Sequence, residues 1–297
     1  MELRQLKYFL KAKELLNFTE AAKHLYITQS TLSQQIKQLE DELGMPLFDR
    51  IGKRITITEA GKLFATYAEK SIHAANDGKQ MLEDLNNLQE GVLHIGLTWG
   101  LKSLAISTFK IFTEQYPKVK LQVTFGTTTE LIDAVMRQEI DFALTFYEGE
   151  LHEGVVHENL MTSDMFVIVW EESIWASKEA MTFKEVEQLK LALPVKGFST
   201  RNFLDEQFTH YAITPQVVVE VNHTSTVIDL VRTGAFQTIL TLASVHGEPY
   251  LKAIPITDCD MRREAVIMRL KDSYQKKSAR VFMDMLQQEN KEEYNQL

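Results

Sequence analysis

Residues 18–44 read FTEAAKHLYITQSTLSQQIKQLEDELG, and two helix starts fall within ten residues of each other: Thr19 before a short alanine-containing run and Thr28 before a longer one. Caps that close predict a tight corner between two helices. Ala21, Ala22 and Leu25 form the inner side of the short helix, where small alanines permit a close crossing, and Ile27 plugs the turn. On the longer helix Leu32, Ile36, Leu39 and Leu43 recur at spacings of four, three and four, which makes a buried stripe. Gln29, Ser30, Ser33, Gln34 and Lys37 are left on the other faces. Glutamine can bond adenine in a bidentate manner, serine serves bases or phosphates and lysine neutralises phosphate, so this set suits the major groove of DNA. Taken alone, the same face also suits an amphipathic helix that meets only water. The flanking segments separate the two readings.

Upstream, Met1 to Leu16 places Leu3, Leu6, Phe9, Leu10 and Leu16 near one side of a first helix. Downstream, residues 45–61 read MPLFDRIGKRITITEAG, where Ile55 and Ile57 alternate with threonines as a strand and the IGK segment makes a hairpin tip. That is a wing carrying Arg50, Lys53 and Arg54, placed to follow the sugar-phosphate backbone or reach a minor groove. A solvated basic turn is the alternative. Thr58 then opens a run from Glu59 to about Gln89 in which Phe64, Tyr67, Ser71, Ala74, Met81, Leu85 and Leu88 fall near heptad spacing. A helix that long cannot bury its stripe on one small domain, so a second copy of the chain is expected to cover it. The resulting homodimer would read a pseudo-palindromic site in double-stranded DNA.

The net charge of -9 argues against a nucleic-acid binder until it is divided along the chain. Residues 1–58 hold 9 Lys/Arg against 7 Asp/Glu, whereas the remainder holds 23 against 34. One end can meet phosphate and the other does not. A single cysteine, Cys259, excludes an intramolecular disulfide or a multi-cysteine zinc cage and suits a reducing cytoplasm. The charged first twenty residues and the lack of a long apolar run speak against secretion or a membrane partner.

Residues 1–90 resemble the amino-terminal region of the LysR-type transcriptional regulators. The matching blocks are Phe18-Thr19-Glu20-Ala21-Ala22, Gln29-Ser30-Thr31-Leu32-Ser33, Leu39-Glu40-Asp41-Glu42-Leu43-Gly44, Leu47-Phe48-Asp49-Arg50 and Thr58-Glu59-Ala60-Gly61, in the family's order and spacing. The resemblance implies a multi-domain α/β chain. A winged helix-turn-helix (1–58) and a linker or dimerisation helix (59–90) precede an effector domain (91–297). That domain would comprise two subdomains like those of periplasmic binding proteins, one of residues 91–162 and 265–297, the other of 163–264. It also implies a homodimer or homotetramer, and a small-molecule effector in the cleft between the subdomains.

From Val92 the pattern itself changes to strands alternating with amphipathic helices. Strands are predicted at Leu93 to Leu97, Leu121 to Phe125, Phe142 to Phe146, Met165 to Val169, Val217 to Val221, Thr238 to Thr241 and Ala265 to Met268. A terminal helix from Lys276 to Gln288 buries Ala279, Phe282, Met283 and Leu286. An internal echo links Thr128-Thr129-Glu130-Leu131-Ile132-Asp133 to Thr224-Ser225-Thr226-Val227-Ile228-Asp229, each after a strand and opening a helix. These hydroxyl-rich turns either cap core helices or present donors to a polar ligand.

Carried over from the family, the ligand contacts are Thr98, Trp99, Gly100, Ser103, Thr127 and Thr128 in the first subdomain and Ser199, Thr200, Arg201, Asn222, His223 and Thr224 in the second. Arg201 with the hydroxyl turns would suit an anionic group, and Trp99 would stack on an aromatic one or simply pack. Where the family commonly has a glycine-rich turn, this chain has Gly234-Ala235-Phe236-Gln237-Thr238, which leaves pocket shape and effector class open.

An enzyme is disfavoured: His152-Glu153-Gly154-Val155-Val156-His157 is one residue too long for the zinc-protease helix pattern, and no glycine-rich phosphate loop or G-x-S-x-G turn occurs. No cofactor or metal is called for. A solute-binding protein, the other rival, would lack the winged helix.

Overall fold

The computed structural model describes residues 1–51, 54–86, 90–147, 152–245 and 247–294, which divide into two units, Met1–Asn86 and Asn87–Leu297. Lys53 of the expected wing and Leu88 of the expected heptad run lie outside the described residues. Among the described residues no helix is long and apolar enough to cross a membrane.

In the first unit, α1 (Leu3–Leu15) buries Leu6, Phe9 and Ala12. It packs on α2 (Phe18–His24) and α3 (Gln29–Leu43). Thr28 caps α3 as expected, accepting from the Thr31 amide at 3.2 Å. The cap of α2 is not Thr19 but Asn17, whose side-chain oxygen accepts from the amides of Thr19 and Glu20 at 2.9 and 3.2 Å. Asn17 has the extended backbone of a cap, and Thr19 already belongs to the first turn. The wing strands β1 (Phe48–Ile51) and β2 (Arg54–Ile57) pair antiparallel, Arg50 opposite Ile55, and α4 (Glu59–Asn86) follows.

Several residues of the motif blocks hold this unit together. Gly44 ends α3 at φ 70, in the left-handed region that suits glycine. The Glu40 carboxylate then accepts from the Leu47 and Phe48 amides at 2.8 and 3.1 Å, tying the end of α3 to the first wing strand. Thr58 donates to the Pro46 carbonyl at 2.8 Å and accepts from the Gly61 amide at 2.9 Å. A Cβ on Gly61 would stand 2.3 Å from the Leu47 carbonyl oxygen and 2.7 Å from Ile57 Cγ1. Phe9 and Phe18 both meet the ring of Phe48 at 5.5 Å, which joins the helices to the wing in one core.

The second unit has two lobes. β3 (Gly91–Leu97), α5 (Lys102–Gln115), β4 (Val119–Phe125), α6 (Thr128–Met136) and β5 (Phe142–Phe146) form a parallel β4-β3-β5 sheet with its crossover helices. β6 (Val155–Trp170) then runs through both lobes. Its second-lobe half is bordered in sequence by β7 (Lys190–Pro194), α7 (Ser199–His210), β8 (Gln216–Val221), α8 (Thr224–Arg232), β9 (Thr238–Thr241), α9 (Leu242–Val245) and β10 (Leu251–Pro255). β11 (Arg262–Leu270) returns to pair antiparallel with β5, and α10 (Lys277–Tyr294) closes the first lobe. From Val155 to Asp164, β6 pairs with β11; from Met165 to Trp170 it pairs with β9 and β10. The other crossing is the segment between β10 and β11.

Each lobe has its own core. Phe282 of α10 meets Phe109, Phe112 and Phe142 at 5.7, 5.3 and 5.8 Å in the first, and Phe183 stacks on Phe208 at 5.4 Å in the second. Strands β7 and β10 and the first ten residues of β6 were not among the predicted strands. Every residue of β7 from Leu191 to Pro194 is buried, and such a run carries no alternation to mark it as a strand. At Gly234, φ is 76 and a Cβ would meet the Trp170 ring at 2.7 Å, so this turn lies close against an indole.

Two glycines of α4 test this packing. Gly61→Ala is expected to destabilise the first unit by about 1–3 kcal/mol through overpacking. Gly78→Ala, with open space around it, should stabilise by about 0.5–1 kcal/mol. Thermal unfolding of the full chain should therefore shift in opposite directions; equal effects would refute the close approach at Gly61.

Candidate nucleic-acid interface and ligand cleft

On α3, Leu32, Ile36 and Leu39 are buried, while Gln29, Ser30, Gln34 and Lys37 are exposed and Ser33 is half-buried. Gln29 Nε2 donates to Ser33 Oγ at 2.8 Å, and Ser30 Oγ lies 2.9 Å from Thr28 Oγ1, so the polar face begins at the capped end of the helix. The acidic residues at the other end are partly engaged: Glu40 on the wing backbone and Glu42 on the amino-terminal ammonium at 2.7 Å. Nothing is described of the side chains of Arg50 and Arg54; their backbones form the two arms of the hairpin. Tyr26, unremarked in the sequence, stands in the turn at φ 55 and is 96% exposed. Ile27 beside it packs against the core.

The cleft of the second unit has two chambers. Thr98, Trp99, Gly100, Thr127, Ser199, Thr200 and Thr224, all expected, line the first together with Gly126, Phe146, Pro194 and Phe198. It encloses about 20 Å³, room for roughly one water. Trp99 closes it by packing against Phe125 of its own lobe at 5.8 Å and Phe198 of the other lobe at 5.1 Å. Ser244 Oγ also donates to the Gly100 carbonyl across the lobes at 3.3 Å.

The second chamber, about 220 Å³, lies between α6 and α7. Thr128 is on its wall, its hydroxyl 2.7 Å from that of Thr145. Thr127 caps α6 and exchanges bonds with Glu130, whose carboxyl is held below its ordinary pKa by the Thr127 amide and hydroxyl. Ser103, Asn222 and His223 are on the walls of neither chamber, and His223 Nδ1 is 2.6 Å from Ser225 Oγ.

Arg201, expected to meet an anionic ligand, is committed to its own lobe. It is 6% exposed, and its guanidinium donates to Asp205 at 2.8 Å, to the Pro194 carbonyl at 3.1 Å and to Glu220. The buried cation behind the cleft is Arg263, 1% exposed, with its guanidinium carbon 4.4 Å from the Phe146 ring centroid and 5.2 Å from that of Phe203. Its Nη1 donates to Thr200 Oγ1 at 3.1 Å. The signal that could have found it is the alternation of β11, which puts Arg263 on the buried face with Ala265.

Arg201→Met is accordingly expected to destabilise the second lobe by about 1–3 kcal/mol, because two partly exposed carboxylates lose their cation. Denaturant unfolding of the chain measures it, and an unchanged midpoint would contradict the geometry.

Two families match the chain: the bacterial regulatory helix-turn-helix protein, lysR family, over residues 3–62, and the LysR substrate binding domain over residues 86–291. The chain is 28% identical over 290 residues to the HTH-type transcriptional regulator BsdA of Bacillus subtilis, covering 96% of this chain and 100% of that one. It is 31% identical over 237 residues to the HTH-type transcriptional regulator CysB of Haemophilus influenzae, covering 79% and 73%. Among solved structures it resembles a full-length OxyR variant from Pseudomonas aeruginosa, with TM-score 0.71 at 20% identity over 98% of this chain and 95% of that one. It also resembles full-length CbnR complexed with its target DNA, with TM-score 0.57 at 20% identity over 98% and 100%.

Proposed function

Because this chain belongs to the LysR-type family of DNA-binding transcriptional regulators, we propose that α3 reads an operator in the major groove and that the two-lobed domain senses a small-molecule effector in its cleft. The observation that carries the first half is the exposed face of Gln29, Ser30, Gln34 and Lys37 on a capped helix, with Ser33 beside it and a hairpin next to it. Base discrimination belongs to the glutamines and Ser33, and uniform phosphate attraction to Lys37, Arg50, Lys53 and Arg54. The weak basic excess of residues 1–58 means that one domain alone binds poorly, so a second copy is needed.

The surface for that copy is α4. At 28 residues it is about 42 Å long, and Leu63, Tyr67 and Leu82 are 66%, 69% and 62% exposed. Apolar side chains in such numbers on one helix favour a homodimer, from which a tetramer can assemble. The second half of the proposal rests on the two crossings between the lobes, which permit closure about a hinge. A ligand that prefers one closure state would change half-site spacing or DNA bend in the bound oligomer. The working place is the cytoplasm, and the role is regulatory and not enzymatic.

Operator titration by fluorescence anisotropy, on a site located by genomic footprinting, tests the DNA half. Gln34→Ala should cost about 1–3 kcal/mol on the operator and little on unrelated DNA. Lys37→Ala or Arg54→Ala should weaken both and lower the salt slope by about one. Undiminished discrimination in Gln34→Ala would remove α3 from base readout, and an unchanged slope in both charge variants would remove those cations from the interface.

A further inference from the structure

The corner between α2 and α3 turns on Tyr26. The Ile27 amide donates to the Ala22 carbonyl at 3.0 Å and the Tyr26 amide to the Lys23 carbonyl at 3.1 Å, the paired bonds that close a helix when the chain turns left-handed. Tyr26 is the left-handed residue, at φ 55. That conformation suits glycine or asparagine and costs an aromatic residue stability.

The ring recovers none of this cost inside the chain. Tyr26 is the most exposed large apolar side chain among the described residues, ahead of Ile174. Among those residues it has no ring contact and no side-chain hydrogen-bond partner. A side chain kept at a cost to the fold, and covered by nothing within it, calls for a partner outside it.

The surroundings identify that partner. The chain belongs to a family of DNA-binding regulators, and Tyr26 precedes the Thr28 cap by two residues, within about 10 Å of Gln29 on the polar face of α3. No acidic residue occurs between Ala21 and Leu39, a stretch that contains Lys23, His24 and Lys37. The nearest carboxylate upstream, Glu20, is held by Lys23 at 2.8 Å. The corner therefore suits a polyanion. A second copy of the chain fits it less well, because α4 packs chiefly on α1 and has little contact with α2 or α3.

A recognition helix enters the major groove by its amino-terminal residues, so the residue just before its cap lies at the rim of the groove, where sugar and phosphate form the edge. Tyrosine matches both parts of that edge. Its hydroxyl donates to a phosphate oxygen, and its ring covers the apolar face of a deoxyribose.

Resting on the reading that α3 enters the major groove, we propose that Tyr26 is a DNA-backbone contact: its hydroxyl donates to one phosphate in each half-site, and its ring covers the adjoining deoxyribose. The contact positions α3 and reads no base. Replacing Tyr26 therefore separates binding from stability.

The test uses the full chain and two duplexes, an operator fragment located by footprinting and an unrelated sequence of the same length, titrated by fluorescence anisotropy. Tyr26→Phe should weaken both by about fivefold or more, since each homodimer loses two hydrogen bonds to charged acceptors, and Tyr26→Gly should weaken both further. The ratio between the duplexes stays the same, and so does the salt slope, because no cation is removed. Tyr26→Gly should keep or raise the unliganded Tm, since the left-handed turn is relieved. A methylphosphonate scan of the operator locates the phosphate: at one position per half-site the neutral linkage weakens the wild type by about fivefold and leaves Tyr26→Phe unaffected.

The proposal is overturned if Tyr26→Gly binds both duplexes unchanged, if the ratio between them falls, or if the scan finds no position whose effect Tyr26→Phe removes. It is also overturned if Tyr26→Gly lowers the unliganded Tm or, by sedimentation, dissociates the homodimer, which would assign the ring to the fold or to a second copy. Weakened binding in both Tyr26 variants beside undiminished discrimination in Gln34→Ala would keep this contact and overturn only base readout by α3. The reverse pattern would keep base readout and overturn this contact.

Discussion

The second unit depends on the continuity of β6. A single strand of 16 residues is bonded to β11 in one lobe and to β9 and β10 in the other. Because its backbone groups must stay paired within each sheet, the lobes cannot slide along one another; what remains is a small rotation about residues near Ser163 to Met165 and about the return crossing before β11. The strand thereby sets which side chains face each other across the cleft. Arg263 stands opposite Ser163 at the crossing, and from there it reaches Thr200 of the second lobe and the Phe146 ring of the first. A buried cation thus touches both lobes beside the strand crossing.

In the first unit the same economy appears in the motif residues. Glu40, Thr58, Gly44 and Gly61 each act within the unit. They join helix to wing through two carboxylate bonds, two hydroxyl bonds, a left-handed turn and a contact too close for a Cβ. Their role is to fix where the polar face of α3 stands relative to the hairpin. The charge of Glu40 is directed at the backbone amides of Leu47 and Phe48 and away from the polar face near Thr28.

Most of the architecture was legible because period and capping are local properties. The stripe of Leu32, Ile36 and Leu39, the cap at Thr28, the echo that opens α6 and α8 and the apolar face of α10 all follow from spacing along the chain. What was not legible depends on contacts distant in sequence. The cap of α2 is a local exception: Asn17 and Thr19 stand two positions apart, both are capping residue types, and choosing between them requires knowing which one leaves the helical backbone. The all-buried β7 has no alternation to read. The strand alternation around Arg263 marks it as inward-facing, but only the fold shows that Glu220 joins Asp205 around Arg201 while two aromatic rings flank Arg263.

The two chambers also differ in what occupancy would cost. The first is filled by the protein's own side chains: Trp99 packs on Phe125 and Phe198, with each aromatic pair contributing about 0.5–1.5 kcal/mol, and Ser244 bonds the Gly100 carbonyl. A ligand entering there must first undo contacts that join the lobes, so its binding would favour an opened hinge. A ligand in the second chamber, where about 220 Å³ is already free, leaves those contacts intact and adds bonds from α6 of one lobe to α7 of the other. Its binding favours the closed hinge. Since a ligand shifts a conformational equilibrium only by its differential affinity for the two states, the chamber that a ligand occupied would decide the direction in which the lobes move.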